Sequence, residues 1–255
     1  MGDSLAYDVQ GATDAPVLVL APSLGTHPDM WSPQTPLFAE QFRVVRVELR
    51  GHCGDPPLGP YTIASIASDI LATLDAMGIS QFSFCGLSLG GMAGMWLAAH
   101  VPSRVERLAL CCTSAYMPPA QGWLDRAATV RRSGMSVIAD AVVGRWFTAD
   151  FAAQSPEVVA WARDMLLATP AEGYAGCCEA IAAMDLRPIL EAITAPTLVL
   201  AGALDPSAPP SHAQVIVGAI AEAQLVVVPS VSHLATAQEP DVCAQLLLDH
   251  LGGTS

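Results

Sequence analysis

The sequence predicts an α/β fold, in which a mostly parallel central sheet is flanked by helices and carries an inserted helical lid. Three observations predict it. Short apolar runs rich in β-branched residues recur along the chain, helical patterns separate several of them, and this alternation stops for one long stretch in the middle of the chain. The chain has 255 residues, of which 52% are hydrophobic and 14% are charged, so it is long and apolar enough for a substantial core.

Seven segments of the chain are predicted to be strands. The segment Leu5 to Val9 is typical of an antiparallel edge strand, and six apolar runs are typical of buried strands. The clearest helix runs from Ile63 to Met77, because apolar residues recur there every three or four positions between a Thr62 cap and Gly78. The six buried runs are Val17 to Ala21, Val44 to Val47, Phe82 to Cys85, Leu108 to Cys112, Thr197 to Ala201 and Leu225 to Val228.

The long stretch without a strand pattern predicts the lid. We assign residues 1–112 and 191–255 to the core and residues 113–190 to the lid, which is expected to lie over the carboxyl ends of the strands, where open α/β sheets bind ligands. The lid has six arginines against eight acidic residues, whereas the core has five against sixteen, so the lid is the less negative part. Its helical patterns cover Trp123 to Arg132, Val137 to Trp146, Pro156 to Leu167 and Gly173 to Met184.

Charge and composition exclude several classes of function. The net charge of −13 and the lack of any basic run argue against a nucleic-acid partner. The segment from Ala76 to Ser103 has no charged side chain, but its glycines and serines predict a strand, a turn and a helix rather than a membrane span. The start of the chain, Met1 to Ala6, resembles no targeting signal, so we expect a cytoplasmic protein that does not associate with membranes.

The cysteines and cations limit the chemistry further. The seven cysteines are odd in number and have no C-x-x-C spacing, so we expect reduced, buried thiols and no metal site or disulfide framework. All the basic side chains other than histidine are arginines, which excludes Schiff-base chemistry through a lysine.

The strongest chemical motif is Gly86-Leu87-Ser88-Leu89-Gly90, which follows a predicted strand and opens a predicted helix. This strand, sharp turn and helix are the context that a G-x-S-x-G nucleophile motif requires. Small residues flank the serine because its strained backbone brings neighbouring segments close together. Ser88 is therefore the candidate nucleophile.

A serine nucleophile needs a base and an acid that orients the base. His233 follows the last predicted strand, and Asp205 follows the strand before it, so the order Ser88, Asp205, His233 is that of a hydrolase triad on parallel strand ends. Two backbone amides should stabilise the oxyanion: that of Leu89, next to the nucleophile, and that of Leu24, in the loop after the first core strand. Five other histidines are better explained as caps, loop braces or surface residues: His27, His52, His100, His212 and His250.

These residues resemble the α/β hydrolases, and among them the bacterial 3-oxoadipate enol-lactonases. The similarity extends over nearly the whole chain, and the motifs in the lid carry most weight because many hydrolases share the triad. The motifs are Ser23-Leu24-Gly25-Thr26 with Met30-Trp31, Arg50-Gly51-His52, Gly59-Pro60-Tyr61, Phe84 to Met92, Arg145-Trp146-Phe147, Glu172-Gly173-Tyr174 and Gly202-Ala203-Leu204-Asp205.

The resemblance implies the α/β-hydrolase fold and hydrolysis of 3-oxoadipate enol-lactone to 3-oxoadipate through an acyl-enzyme on Ser88, in aromatic catabolism, without a metal or an organic cofactor. The implied partner is a small anionic lactone, whose carboxylate needs a cation in a net acidic protein. Arg131, Arg132 and Arg145 of the lid are the candidates for that cation, and Trp123 resembles the pocket tryptophan of the family.

Other functions stay open at this point. A related hydrolase could act on another small ester or lactone, on a carbon–carbon bond, or as a cofactor-free perhydrolase, and some hydrolase folds serve as ligand receptors. A dehalogenase is disfavoured, because that chemistry uses a carboxylate nucleophile where this chain has Ser88. The sequence does not determine the oligomeric state.

Overall fold

The computed structural model describes residues 5–54, 56 and 60–253. The expectations for Met1 to Ser4, and the part of the Gly59-Pro60-Tyr61 motif at Gly59, lie outside the described residues. The strands of the described chain are β1 (Tyr7–Gln10), β2 (Val17–Ala21), β3 (Arg43–Val47), β4 (Phe82–Leu87), β5 (Val105–Cys111), β6 (Thr197–Gly202) and β7 (Ala223–Val228).

The strands form one sheet in the order β1-β3-β2-β4-β5-β6-β7. Every neighbouring pair is parallel except β1 and β3, which run antiparallel. The edge strand and all six apolar runs are confirmed as strands. Strands β4 and β6 are buried along their whole length, which explains why their sequences are continuously apolar rather than alternating.

Helices flank the sheet. The predicted helix after Thr62 is confirmed, and it begins with a reciprocal cap: the Ser65 amide donates to Thr62 Oγ1, and the Thr62 amide donates to Ser65 Oγ, both at 3.0 Å. The helices are α1 (Thr35–Phe38), α2 (Ile63–Ala76), α3 (Leu89–His100), α4 (Ala120–Ser133), α5 (Ser136–Val143), α6 (Ala149–Gln154), α7 (Pro156–Ala168), α8 (Ala171–Ala183), α9 (Pro210–Ala219), α10 (Ala235–Gln238) and α11 (Pro240–Leu251), with short 3-10 helices at Pro28–Trp31, Pro102–Arg104 and Arg187–Ala192.

The lid lies between β5 and β6 and contains α4 to α8. All four predicted lid helices are present, and the short helix α6, which the sequence pattern did not indicate, is added to them. Hydrogen bonds connect the lid to the core: the Leu234 amide donates to the Trp146 carbonyl at 2.9 Å, and Ser232 Oγ donates to the Arg145 carbonyl at 2.8 Å. The lid is therefore attached to the loop that precedes α10, which contains His233.

The expectations about membrane spans and about the cysteines both concern residues that the structure describes. None of its helices is long and apolar enough to cross a membrane. All seven cysteines are free thiols, and six of them are buried, as expected of small apolar side chains, whereas Cys53 is exposed.

Candidate active site

Ser88 occupies the turn between β4 and α3 and has a strained backbone, with φ 53° and ψ −110°. Its amide donates to the Cys111 carbonyl at 2.9 Å, which holds the turn against the neighbouring strand β5. A Cβ on Gly86 would lie 2.3 Å from the Gly90 carbonyl carbon, and one on Gly90 would lie 2.4 Å from the Ala21 carbonyl oxygen. The glycines that flank the serine are therefore required by the close approach of backbone to backbone.

His233 and Asp205 form a buried pair. His233 Nδ1 lies 2.7 Å from Asp205 Oδ2, while Asp205 Oδ1 accepts hydrogen bonds from the amides of Ser207 and Ala208 at 2.7 and 3.0 Å. Burial raises the pKa of Asp205, but the His233 imidazole and the two amides lower it by more, so the net pKa lies below the usual value. An ionised Asp205 keeps a proton on Nδ1 of His233 and leaves Nε2 as a proton acceptor.

Ser88 and His233 line the same cleft, between the carboxyl ends of the strands and the lid. Within the described residues the Ser88 hydroxyl makes no hydrogen bond, and such contacts are often long in unliganded hydrolases and tighten when substrate binds. The cleft holds about 460 Å³ of empty space, including its open mouth. Its other walls include Leu24, Trp123, Arg126, Arg145, Trp146 and Tyr174.

The two predicted oxyanion donors lie on either side of the nucleophile. Leu89 is the first residue of α3, so its amide has no acceptor within the helix. Leu24 lies in the loop after β2, and the Gly90 amide holds that loop against α3 by donating to the Pro22 carbonyl at 3.1 Å. Neither the Leu24 nor the Leu89 amide has an acceptor elsewhere in the part of the chain that the structure describes. The predicted role as oxyanion donors requires amides that are unoccupied in this way.

Of the three arginines predicted to bind the substrate carboxylate, Arg131, Arg132 and Arg145, only Arg145 lines the cleft. Arg145 lines the cleft, where burial lowers the pKa of its guanidinium and the nearby cation Arg126 lowers it further. Arg131 does not line the cleft, because its guanidinium is bound by Glu172 and Glu179 on the outside of the lid. Arg132 is exposed and does not line the cleft either. The expectation that either of these two receives a substrate carboxylate therefore needs correction.

Comparison with known proteins agrees with this geometry. The family described as alpha/beta hydrolase fold matches residues 16–240. The 3-oxoadipate enol-lactonase 2 of Acinetobacter baylyi is 40% identical over 93% of this chain and 89% of its own length. The chain belongs to the 3-oxoadipate enol-lactonase family of α/β hydrolases. Like its relatives, this hydrolase cleaves ester or lactone bonds.

Solved structures are similar to the hydrolase over nearly its whole length. The enol-lactonase of Burkholderia xenovorans LB400 superposes with a TM-score of 0.95 at 41% identity, covering 98% of this chain and 96% of that one. A thermophilic esterase from Thermogutta terrifontis, solved with malate bound, superposes with a TM-score of 0.89 at 29% identity, covering 96% and 92% of the two chains. The similarity therefore includes the lid as well as the core.

Sequence reasoning missed Arg126 of the hydrolase. Its guanidinium lies 4.6 Å from the centre of the Trp123 ring and faces the cleft near Tyr174. No carboxylate within the described residues pairs with Arg126 or Arg145. The spacing of residues along α4 is the signal that could have identified Arg126. Arg126 follows Trp123 by three positions on α4 and shares its face, whereas Arg132 follows by nine and lies on the opposite face.

Proposed function

We propose that this hydrolase opens 3-oxoadipate enol-lactone to 3-oxoadipate through an acyl-enzyme on Ser88. The observation that carries the proposal is the pair of guanidiniums, Arg126 and Arg145, that face the cleft of Ser88 and His233 without a carboxylate partner among the described residues. A site that holds two such cations beside a nucleophile suits a substrate with both an ester bond and a negative charge. The identity with enol-lactonases over most of the chain supports the same substrate.

Acylation uses Ser88 and His233. The Ser88 Oγ attacks the ring carbonyl carbon while His233 Nε2 takes the hydroxyl proton, and the resulting oxyanion accepts hydrogen bonds from the two free amides. Collapse of the tetrahedral intermediate breaks the bond between the carbonyl carbon and the ring oxygen. The departing enolate is protonated by the imidazolium and tautomerises to a ketone, which drives ring opening forward. Because the substrate is cyclic, the ketone remains part of the acyl group on Ser88.

Deacylation repeats the chemistry with water. His233 Nε2 takes a proton from a water molecule, whose oxygen attacks the acyl carbon, and the same amides stabilise the second oxyanion. Breakdown of this intermediate returns the proton from His233 to Ser88 Oγ and releases a second carboxylate. As written, the reaction consumes one water and involves no metal or organic cofactor.

The arginines account for recognition of the existing carboxylate. The protein carries a net charge of −13, which repels an anionic substrate unless cations at the site offset it. Arg126 lies over the Trp123 ring, which restricts the orientation of its guanidinium before substrate binds. The malate that was bound in the similar Thermogutta esterase is itself a small dicarboxylate, which supports an anionic ligand.

The test is loss of the ultraviolet absorbance of 3-oxoadipate enol-lactone, with p-nitrophenyl acetate as an ester that lacks a carboxylate. We expect the lactone to be opened with a kcat/KM at least about a hundredfold above that for p-nitrophenyl acetate. Cleavage of p-nitrophenyl acetate with no turnover of the lactone would overturn the proposed substrate and leave the ester hydrolase in place. In that case neutral esters and other lactones are the next substrates to measure.

A further inference from the structure

The motif Arg50-Gly51-His52 lies outside the triad but touches the loop that supplies an oxyanion donor. His52 is only 1% exposed, and its Nε2 accepts a hydrogen bond from the Gly25 amide at 2.9 Å. Gly25 directly follows Leu24, whose amide is the predicted second oxyanion donor and has no acceptor within the described residues. The imidazole therefore holds the residue next to the donor and makes no contact with the cleft itself.

The protonation state of His52 follows from its two partners. A backbone amide only donates, so Nε2 must be the unprotonated nitrogen, and the proton lies on Nδ1, which is 3.2 Å from the Arg50 carbonyl oxygen. Burial lowers the pKa of His52 to about 4, against the opposing effect of the Arg50 carbonyl. The ring is thus neutral at the pH at which hydrolysis is measured, and it keeps its acceptor.

The loop after β2 is restrained by several contacts, of which the hydrogen bond to His52 is one. Gly25 has a φ of +77°, and a Cβ there would lie 2.5 Å from Leu166 Cδ1 of the lid, so the loop is confined from that side. Elsewhere the loop is closed by Thr26 Oγ1, which accepts from the Ser23 amide at 3.0 Å. The Gly90 amide holds the start of the loop through the Pro22 carbonyl, and the hydrogen bond of the Gly25 amide to His52 restrains the residue next to the predicted donor.

The same motif also touches the lid. Gly51 has a φ of +76°, and a Cβ on it would lie 2.6 Å from the Gly173 Cα of α8. The segment from Gly51 to His52 therefore contacts α8 with one residue and the oxyanion loop with the next. The lid and the oxyanion loop therefore both pack against this turn.

We infer that His52 is a positioning residue, whose neutral imidazole holds the Leu24 amide in the direction that stabilises the oxyanion. The inference rests on the proposed role of Ser88 and the two amides, but not on the identity of the substrate. Losing an oxyanion donor outright costs about 10²–10³-fold in kcat. A donor that is present but misdirected costs less, so we expect a loss of about 10- to 100-fold when the acceptor is removed.

The experiment compares His52→Leu, which has no acceptor, with His52→Gln, whose Oε1 can take the place of Nε2. His100→Leu is the matched control, because His100 is exposed at the far end of α3. Turnover of p-nitrophenyl acetate and the inhibition constant of phenylboronic acid are measured for each variant. Phenylboronic acid forms a tetrahedral anion on a serine and so reports on the oxyanion site directly. Melting temperatures verify that every variant is folded.

We expect His52→Leu to lower kcat by about 10- to 100-fold with KM within about threefold, and to weaken phenylboronic acid by a similar factor. His52→Gln should recover most of both, and His100→Leu should equal the wild type. Equal losses in the leucine and glutamine variants, or a wild-type rate in His52→Leu, would overturn the inference. Wild-type turnover of p-nitrophenyl acetate that Ser88→Ala abolishes keeps the result interpretable even if the lactone proves not to be the substrate.

Discussion

The strand ends of the core and the helices of the lid position their polar side chains in different ways. In the core, Ser88 directly follows β4, Asp205 lies three residues after β6 and His233 lies five residues after β7, and backbone hydrogen bonds and close backbone contacts restrain the segments that carry them. In the lid, Arg126 and Arg131 lie only five positions apart on α4, yet one faces the cleft and the other is bound by glutamates on the outer surface.

This difference suggests that the core carries the chemical reaction and that the lid determines substrate recognition. The position of a strand end in the chain is enough to bring a residue to the site, because parallel strands all end at the same edge of the sheet. A position on a helix is not enough, because the helix turns about 100° per residue and only one side of it faces the cleft. We therefore expect substitutions in the core to remove the reaction, and substitutions in the lid to change which substrates are used.

The largest expected effect is that of Ser88→Ala. Without the nucleophile, kcat for both the lactone and p-nitrophenyl acetate should fall by about 10⁵-fold or more, because the remaining groups have no atom to acylate. Steady-state assays on purified protein measure it, with Ser133→Ala on the exposed side of α4 as the control. Retention of even a hundredth of the wild-type kcat would mean that the core does not act through Ser88.

The next largest effect is expected from a substitution of Asp205, the acid that pairs with His233. Asp205→Asn should lower kcat by about 10³- to 10⁴-fold for both substrates, because an amide at this position no longer favours a proton on Nδ1 of His233. The exposed Asp164→Asn is the matched control. A loss that appears only with the lactone would place Asp205 in substrate recognition and break the contrast between core and lid.

A smaller and selective effect is expected from the lid. Arg126→Gln and Arg145→Gln should each lower kcat/KM for the lactone by about 10- to 100-fold, since a charge-assisted hydrogen bond is worth about 1.5–3 kcal/mol. Turnover of p-nitrophenyl acetate, which has no carboxylate, should stay within about twofold. Arg132→Gln on the opposite face of α4 serves as the control. An equal loss on both substrates would show that these arginines support catalysis or folding rather than recognition.

The smallest effect concerns the outer surface of the lid. Arg131→Gln should leave both activities unchanged and lower the melting temperature by about 2–4 °C, because it removes partly exposed ion pairs worth about 1 kcal/mol together. The side-chain hydrogen bond with Arg131 holds the pKa of Glu172 below its usual value. The stabilisation is therefore complete above a pH of about 4.5 and is lost as the pH falls through the lowered pKa.

Melting curves of the wild type and Arg131→Gln at several pH values check this last prediction. The two melting temperatures should converge at low pH, where Glu172 is protonated in both proteins. A difference that grows on acidification, or a loss of lactone turnover in Arg131→Gln, would contradict the assignment of Arg131 to the outer surface.

Much of the fold and of the triad could be predicted from the sequence. The apolar runs marked the six strands other than the exposed edge strand β1, since burial within a sheet leaves little choice of residue, and Gly86 and Gly90 marked the turn because no side chain fits there. The helix α6 could not be predicted in the same way. It is six residues long with no buried residue, so it has no apolar face to produce a periodic pattern.

By itself, the sequence determined which elements form, in what order they occur, and which three residues follow the strands that end at the site. These properties depend on local backbone geometry and on burial, and both restrict which residue types can occur at a position. Only the tertiary structure decided that Arg126 and Arg145 face the cleft, that Arg131 is held by glutamates from another helix, and that His52 supports the oxyanion loop. Each of these depends on contacts between segments far apart in the chain, and single positions do not record which residue their side chains will meet.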